Sequence, residues 1–273
     1  VHDPVRAVHR WVWRDSRLGR GERVIPEETA LALTYNGSTY VVMMASPQDL
    51  TDFAVGFSLS EGIIQSEAEI ESLDIVDLGG GLELRIWLAQ SRADRLSERR
   101  RYLIGPTGCG LCGIESIAEA LRPTVTVEAN RQFSPQQIMS AMHDVPPLQQ
   151  INIETRAVHA AAFWTPECGI VSLREDVGRH NALDKLAGAL IRGNIAVGDG
   201  MVLLTSRVSV EMVQKAAAIG VPLVVAVSTP TALAVRVAEA AGITLAGIAR
   251  ADGFEVFTHP HRIDAGVSVP QAT

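Results

Sequence analysis

Cysteine is scarce in this chain: 273 residues hold only Cys109, Cys112 and Cys168. A small, odd number of thiols does not build the disulfide framework of a secreted scaffold and suits a reducing compartment. Long apolar runs are also missing. The most apolar stretch, residues 221–228, is strand-sized and contains Pro222, so no segment is long enough to span a bilayer. Residues 1–6 have no signal-type apolar region behind them, because Trp11-Val12-Trp13-Arg14 is too short. Excess positive charge is absent. A net charge of −7 argues against general attraction to nucleic acid or an anionic membrane, so an anionic ligand would need a local basic pocket. There is no His-x-Glu anywhere, which removes the acid–base glutamate of zinc deaminases and hydrolases; His159 is followed by Ala160 and Ala161. No internal repeat and no low-complexity segment interrupts the pattern. What is present is an ordinary globular balance of 47% hydrophobic and 20% charged residues. The expectation is a cytoplasmic protein of one large or two modest domains.

The chain divides into three stretches. Residues 1–28 are charged and irregular and read as an extended arm. Residues 31–35 and 39–44 are strand-like and flank Asn36-Gly37-Ser38, a strong hairpin signal. Ser46-Pro47-Gln48-Asp49 looks like a helix start, with Ser46 as N-cap, Pro47 at the first position and Asp49 completing a capping box. Leu50, Phe53, Ala54 and Phe57 mark its apolar face, and Glu61-Gly62 its stop. Residues 82–88 alternate like a half-buried strand, and a short helix is expected at 114–121. Residues 130–150 are polar apart from a helix near 136–142. Beyond Thr155 the pattern becomes βαβαβ: strands at 158–164, 170–173, 201–205, 223–227, 243–248 and 254–258, with helices around Leu183–Leu190, at 210–219, and from a cap at Thr229-Pro230 to Ala241. That rhythm predicts a mostly parallel sheet covered by helices.

Cys109 and Cys112 carry the strongest chemical signal. They lie in Gly105-Pro106-Thr107-Gly108-Cys109-Gly110-Leu111-Cys112-Gly113, a glycine-rich C-x-x-C segment ahead of the expected helix. Helix N–H groups aimed at sulfur favour the thiolate, whereas the nearby Glu115 opposes it. Three roles fit such a pair. One is half of a zinc site, with Cys168 and the His259-Pro260-His261 pair as further candidate ligands. The second is a redox dithiol, although redox motifs of this kind follow a strand and this one follows the basic run Arg99-Arg100-Arg101. The third is a persulfide carrier on an accessible loop. The basic run itself reads as a solvated face.

Residues 174–185 (Arg-Glu-Asp-Val-Gly-Arg-His-Asn-Ala-Leu-Asp-Lys) crowd charge at a strand-to-helix junction. Either they are a solvated helix start with surface ion pairs, or Arg179, His180 and Asn181 face a crevice at the strand ends, where open α/β sheets take ligands. Ser206 and Arg207, in Thr205-Ser206-Arg207-Val208-Ser209, suit phosphate; plain N-capping by Ser209 is the simpler alternative. Arg250-Ala251-Asp252-Gly253 reads as a turn at the equivalent end of a later strand.

Taken in order and spacing, these segments resemble the formate dehydrogenase accessory sulfurtransferase family (FdhD). The resemblance runs over residues 24–262. It rests on Met44-Ala45-Ser46-Pro47 with residues 56–62, on the C-x-x-C segment, on residues 175–185, on Ser206-Arg207 with Ser209 and residues 211–215, and on Phe257-Thr258-His259-Pro260. It implies an α/β fold: a cytidine-deaminase-like three-layer domain at 129–273 without deaminase chemistry, preceded by a smaller α+β domain at 29–128 and an arm at 1–28. It also implies a sulfurtransferase that takes persulfide sulfur from a cysteine desulfurase. The sulfur goes to the bis-molybdopterin guanine dinucleotide form of the molybdenum cofactor, bound as substrate, in support of formate dehydrogenase. By the same resemblance Cys109 is the persulfide carrier and Cys112 its companion. The cofactor-contacting segment is Ile248, Ala249, Arg250, Ala251, Asp252 and Gly253; Gly253 stands where family members commonly have a second basic residue. Ser206, Arg207 and His180 join that segment as candidate contacts. No tightly held metal is implied, and a homodimer is. The alternatives are a cofactor-binding chaperone without sulfur chemistry and a zinc-binding protein.

Overall fold

The computed structural model describes residues 2–93, 96, 124–264 and 266. Cys109, Cys112, Glu115, the arginines at 99–101 and the helix expected at 114–121 lie outside the described residues.

The first stretch is not irregular. β1 (Val5–Arg14) and β2 (Arg17–Pro26) pair antiparallel along their whole length as a two-stranded ribbon. β3 (Thr29–Tyr35) and β4 (Ser38–Ala45) form the expected hairpin. Asn36 and Gly37 take φ of 47° and 78°, the left-handed pair that matches a turn to strand twist. β5 (Ile70–Asp77) and β6 (Leu82–Leu88) complete a four-stranded sheet in the order β4-β3-β6-β5, in which β3 and β6 run parallel. α1 (Leu50–Ser60) covers one face of it. Phe53, Ala54 and Phe57 meet Leu31, Leu33, Leu84 and Ile86 in one core.

The second sheet has six strands. α2 (Pro135–Asp144) starts from a capping box between Ser134 and Gln137. α3 (Gln150–Thr155) leads to β7 (His159–Thr165) and β8 (Gly169–Asp176). Then α4 (Arg179–Arg192), β9 (Met201–Leu204), α5 (Val210–Ile219), β10 (Leu223–Ala226), α6 (Ala232–Ala240), β11 (Thr244–Arg250) and β12 (Gly253–Val256) alternate. The order is β12-β11-β10-β9-β7-β8. Only the centre, β9-β10-β11, is parallel; β7, β8 and β12 join antiparallel, so the sheet is mixed and not mostly parallel. The antiparallel margins follow from tight chain reversals at β7–β8 and β11–β12, which leave no room for a crossover helix. Residues of α4, α5 and α6 bury one face of this sheet, and α2 with Phe133 buries the other. Val127 already belongs to the first of these cores.

Two expected caps are displaced. α1 begins after Asp49, which has φ of 53° and makes no side-chain cap bond; the Ser46 hydroxyl expected to cap it accepts instead from the Val177 amide (3.1 Å). α6 is capped by Thr231, whose side chain accepts from the Ala234 amide, and not by Thr229-Pro230.

α1 also packs across α4, and this contact joins the two sheets. Gly56 and Gly188 make it possible. A Cβ on Gly56 would lie 1.7 Å from the Asp184 carbonyl oxygen, and one on Gly188 would lie 1.9 Å from that of Asp52. Backbone meets backbone here, so no rotamer change relieves the clash. Gly56→Ala should therefore lower stability by about 3 kcal/mol or more. A shift in urea midpoint checks this, and a near-neutral value would mean that the helices separate without cost.

Candidate functional site

Residues 174–185 are not a solvated surface. Asp176, Asp184 and Lys185 are fully buried, and Glu175 and Asn181 nearly so. Buried charge survives only where it is paired and fully hydrogen-bonded, and here it is. Asp176 Oδ2 accepts from Lys185 Nζ (2.7 Å) and from the Ser46 amide (2.9 Å). Its Oδ1 accepts from the Gly178 amide (2.7 Å) and the Asn181 side chain (2.9 Å). Lys185 also donates to the Ser46 carbonyl, and Asn181 to that of Met44. Burial pulls the Lys185 ammonium below the ordinary lysine range, while Asp176 pushes back. A second knot ties α1, α4 and α5: Lys215 donates to Asp184 (2.9 Å) and to Ser60 (2.9 Å), and Ser60 donates to Asp184 (2.6 Å). Asn181 thus serves this interlock and does not face a crevice, contrary to expectation.

The interlock fixes what lies just beyond it. α4 starts at Arg179 and His180, at the edge of the sheet where β8, β9, β10 and β11 end and β7 begins. The loops after the three parallel strands are stitched side by side along that edge. The Val227 amide donates to the Leu204 carbonyl, Val208 bridges Pro230, and the Ile248 amide donates to the Ser228 carbonyl. Ser206 is buried and donates to the Arg207 carbonyl (3.0 Å), while Arg207 is exposed. The last strand bends at this rim. Ile248 has φ of 54°, the β11–β12 register shifts between Gly247 and Arg250, and Gly253 has φ of 148°. Gly247 sits where a Cβ would lie 3.0 Å from the Ser228 carbonyl oxygen, so a side chain there would crowd the neighbouring loop. The bulge leaves Ile248 half-buried and Ala249 buried, and it exposes Arg250, Ala251 and Asp252. β-bulges re-aim side chains in this way. Arg250 is therefore the last residue of the strand and not part of a free turn.

Six residues on four elements lie along this edge: His159 on β7, Arg179 and His180 on α4, Ser206 and Arg207 in the β9–α5 loop, and Arg250 at the end of β11. His180 Nε2 lies 3.4 Å from Ser209 Oγ and 3.9 Å from Glu211. Ser209 stands at the N-cap of α5 but makes no cap bond; it is hydrogen-bonded to Glu211 and lies beside the histidine. Arg179 Nε is fully buried without a protein partner. Burial, with Arg179 and Lys215 close by, holds the His180 imidazole down at about 4. Burial, Arg179 and Arg207 likewise lower His159. Burial first, and the neighbouring positive charges second, keep both histidines neutral at pH 7. Among the described residues no group of three or more His, Cys, Asp or Glu could hold a metal ion. Such a rim, with two arginines, a guanidinium nitrogen lacking a partner and uncapped starts of α4 and α5, can take an anion the size of a phosphate or pyrophosphate. The sequence signal for Ser206, Arg207, His180 and Arg250 was their place after strands. The Ser209–Glu211 contact to His180 had no local signal, since it joins residues about 30 apart on different helices. Cys168 is exposed in the β7–β8 turn, and no described helix is long and apolar enough to cross a membrane.

These features define a mixed α/β protein with an anion-suited sheet edge, and comparison with known proteins gives it a lineage. The family model described as FdhD/NarQ matches residues 26–264. The chain is 49% identical over 264 residues to the sulfur carrier protein FdhD of Agrobacterium fabrum, covering 96% of this chain and 97% of that one. It is 46% identical to the protein of the same name from Cupriavidus necator, over 94% of this chain and 89% of that one. A crystal structure assigned as a formate dehydrogenase accessory protein from Desulfotalea psychrophila superposes with a TM-score of 0.76 at 25% identity, over 96% of this chain and 100% of that one. This chain belongs to the FdhD/NarQ family.

The depressed His180 has a consequence for stability. The unfolded chain binds its proton near the ordinary histidine value of 6.5, whereas the folded chain does so only near 4. The neutral imidazole's contribution is therefore complete above pH 6.5 and is lost as pH falls from 6.5 toward 4. His180→Gln should lose less stability than the parent over that window in parallel urea titrations. Identical slopes would mean that His180 protonates freely in the fold.

Proposed function

We propose that this chain is a sulfur carrier that accepts sulfur as a persulfide on Cys109 and delivers it to a guanine-dinucleotide molybdenum cofactor held at the sheet edge. The observation that carries the reading is family membership across residues 26–264, a span that includes both the C-x-x-C segment and the rim. The loading step balances without an external oxidant. The Cys109 thiolate attacks the outer sulfur of a protonated donor persulfide, the donor's S–S bond breaks, and the donor cysteine leaves as thiolate while Cys109 carries the –S–SH group. A cysteine desulfurase is the fitting donor, because it forms such a persulfide. Cys112 is the companion thiol, and the chain is a sulfurtransferase in this sense.

The rim's part is recognition. Arg207 and Arg250 suit the pyrophosphates, the Arg179 guanidinium adds charge, and the neutral His180 offers a hydrogen bond without adding a further cation. Ile248 and Ala249 shape the floor, and Ala251, Asp252 and Gly253 form the lip beside Arg250. Gly253 leaves that lip with one basic residue. The six-stranded sheet with helices on both faces is read as cytidine-deaminase-like, with residues 29–128 as the smaller domain and residues 1–28 as an arm. Formate dehydrogenase is the enzyme served, and the compartment is the cytoplasm.

Incubation with a cysteine desulfurase and cysteine should add about 32 Da, one sulfur, to the parent chain and nothing to Cys109→Ala. An unmodified parent would favour a cofactor chaperone without sulfur chemistry. In cells, Cys109→Ala should abolish formate dehydrogenase activation at normal protein level, and normal activation would exclude the carrier role. Separately, Arg250→Ala should weaken binding of a guanine nucleotide about tenfold, an order typical of a lost charged contact, while Arg85→Ala on the other sheet should not. Equal effects would remove the rim from the reading.

A further inference from the structure

The β1–β2 ribbon is charged unlike the rest of the molecule. Residues 5–26 hold six arginines against Asp15 and Glu22, a net +4 within a chain of net −7, so everything outside the ribbon carries −11. One of its faces is bare. His9, Trp11 and Trp13 on β1 share that face with Leu18, Arg20 and Glu22 on β2, and all six are exposed. Trp11 is 58% exposed, Trp13 68% and Leu18 60%. The Arg20 guanidinium stacks 4.7 Å over the Trp11 ring, so cation and ring are presented as one flat surface. Arg14 and Arg17 pair next to the turn and are exposed as well.

The ribbon is held at its base. The Glu27 amide donates to the Pro4 carbonyl (2.8 Å), the His2 ring contacts Asp77 (3.0 Å), and Arg23 donates to the Thr155 carbonyl (3.1 Å). Among the described residues, those at 9–22 hydrogen-bond and ion-pair only within the ribbon. Strands of this length reach about 30 Å, so the tryptophans and the arginines beside the turn stand well away from the anchored end. The span that matches the family model begins at residue 26, where β2 ends. The ribbon therefore lies ahead of the span that defines the carrier, as suits a part that selects a partner and does no chemistry.

Charge decides what kind of surface it fits. An extended anion such as a bilayer or a nucleic acid would also meet Glu71, Asp74 and Asp77 on β5, at the foot of the ribbon, and the −11 of the body, and would be repelled there. A protein with a local acidic patch can meet the ribbon alone. A sulfur carrier needs two partners, and the cofactor has its recognition at the rim; the sulfur donor must be recognised elsewhere. Resting on the sulfur-carrier reading, we infer that the ribbon is the docking arm for an acidic surface of the protein that donates the sulfur. Trp11, Trp13 and Leu18 pack on an apolar spot of the donor, and Arg14, Arg17 and Arg20 take carboxylates around it, which guanidinium groups do in bidentate fashion. The rings supply the strength of the contact and the arginines its rate and orientation.

The test is calorimetric binding of the full chain to each purified cysteine desulfurase of the source organism, first without cysteine. The parent should bind one of them. Trp11→Ser with Trp13→Ser should weaken that binding about tenfold or more, as expected for loss of aromatic anchors. Arg17→Glu with Arg20→Glu should weaken it similarly; raising ionic strength from about 0.05 M to about 0.5 M should weaken the parent and leave this variant nearly unchanged. With cysteine added, both variants should gain sulfur on Cys109 more slowly than the parent from the desulfurase. Glutathione persulfide needs no docking and should load all three alike: the Cys109 thiolate attacks its outer sulfur and glutathione leaves as thiolate. Circular dichroism with melting confirms that the variants are folded. A parent that binds no desulfurase, variants that bind as the parent does, or variants slowed equally with the small donor overturn the proposal. So does ribbon-dependent binding to phosphatidylglycerol vesicles, which would give the face to a membrane, or a changed sedimentation of the variants, which would give it to contact between copies. Ribbon-dependent binding with no sulfur gained from either donor would instead refute the carrier reading and leave the docking arm in place.

Discussion

The contact between α1 and α4 is the constraint on which the other features depend. Two sheets of different topology are joined there by helices close enough for a carbonyl of each to occupy the space where a glycine of the other has no side chain. Ion-paired knots lock both ends of the crossing: Asp176–Lys185 with Ser46 at one end, and Asp184–Lys215 with Ser60 at the other. Buried pairs contribute little net stability against a well-packed apolar replacement, yet each is costly to half-remove. Their effect here is registry. They allow one depth and one rotation for α1 against α4, and α4 carries Arg179 and His180 in its first turn.

That registry explains how charge accumulates at the sheet edge. Arg179 opens α4, Arg207 lies in the loop after β9 and Arg250 ends β11, and the bonds that stitch the segments after β9, β10 and β11 side by side hold the last two in register. The histidines among them respond by staying neutral. A rim assembled in this way is locally positive on a chain of net −7, as the sequence requires of any acidic protein that holds an anionic ligand.

Much of this was readable in the sequence, and the failures share one cause. α5 falls on residues 210–219 as its periodicity indicates, and the Asn36-Gly37 turn joins its two strands as such turns do. Local signals sufficed in both cases. Ser46 has every local mark of an N-cap, but Asp176 and Lys185, about 130 residues away, take its backbone groups. Residues 174–185 look like a solvated charged helix start because, beyond the internal Asp176–Lys185 pair, their partners Asp52, Met44 and Lys215 sit on α1, β4 and α5. The ribbon escaped notice because six arginines mask the alternation of Val8, Val12 and Val24 with exposed residues. Most rim residues were legible by position, since Arg179, His180, Ser206, Arg207 and Arg250 stand at or just after strand ends; His159, which begins β7, was not, nor was the bulge that exposes Arg250, because it depends on β12 pairing back.

α3 shows what such long-range bonding permits. It has six residues, well short of the length at which a helix persists alone in water. The Glu175 carboxylate accepts the Ile151 and Asn152 amides at its start, and Arg23 donates to the Thr155 carbonyl at its end. Opposite charges thus close both poles of its dipole, one supplied by β8 and the other by β2. The segment is consequently a splint between strands, not a nucleus. It can coil only after β2 and β8 have both arrived, and its helicity reports that the amino-terminal and central parts of the chain have come together.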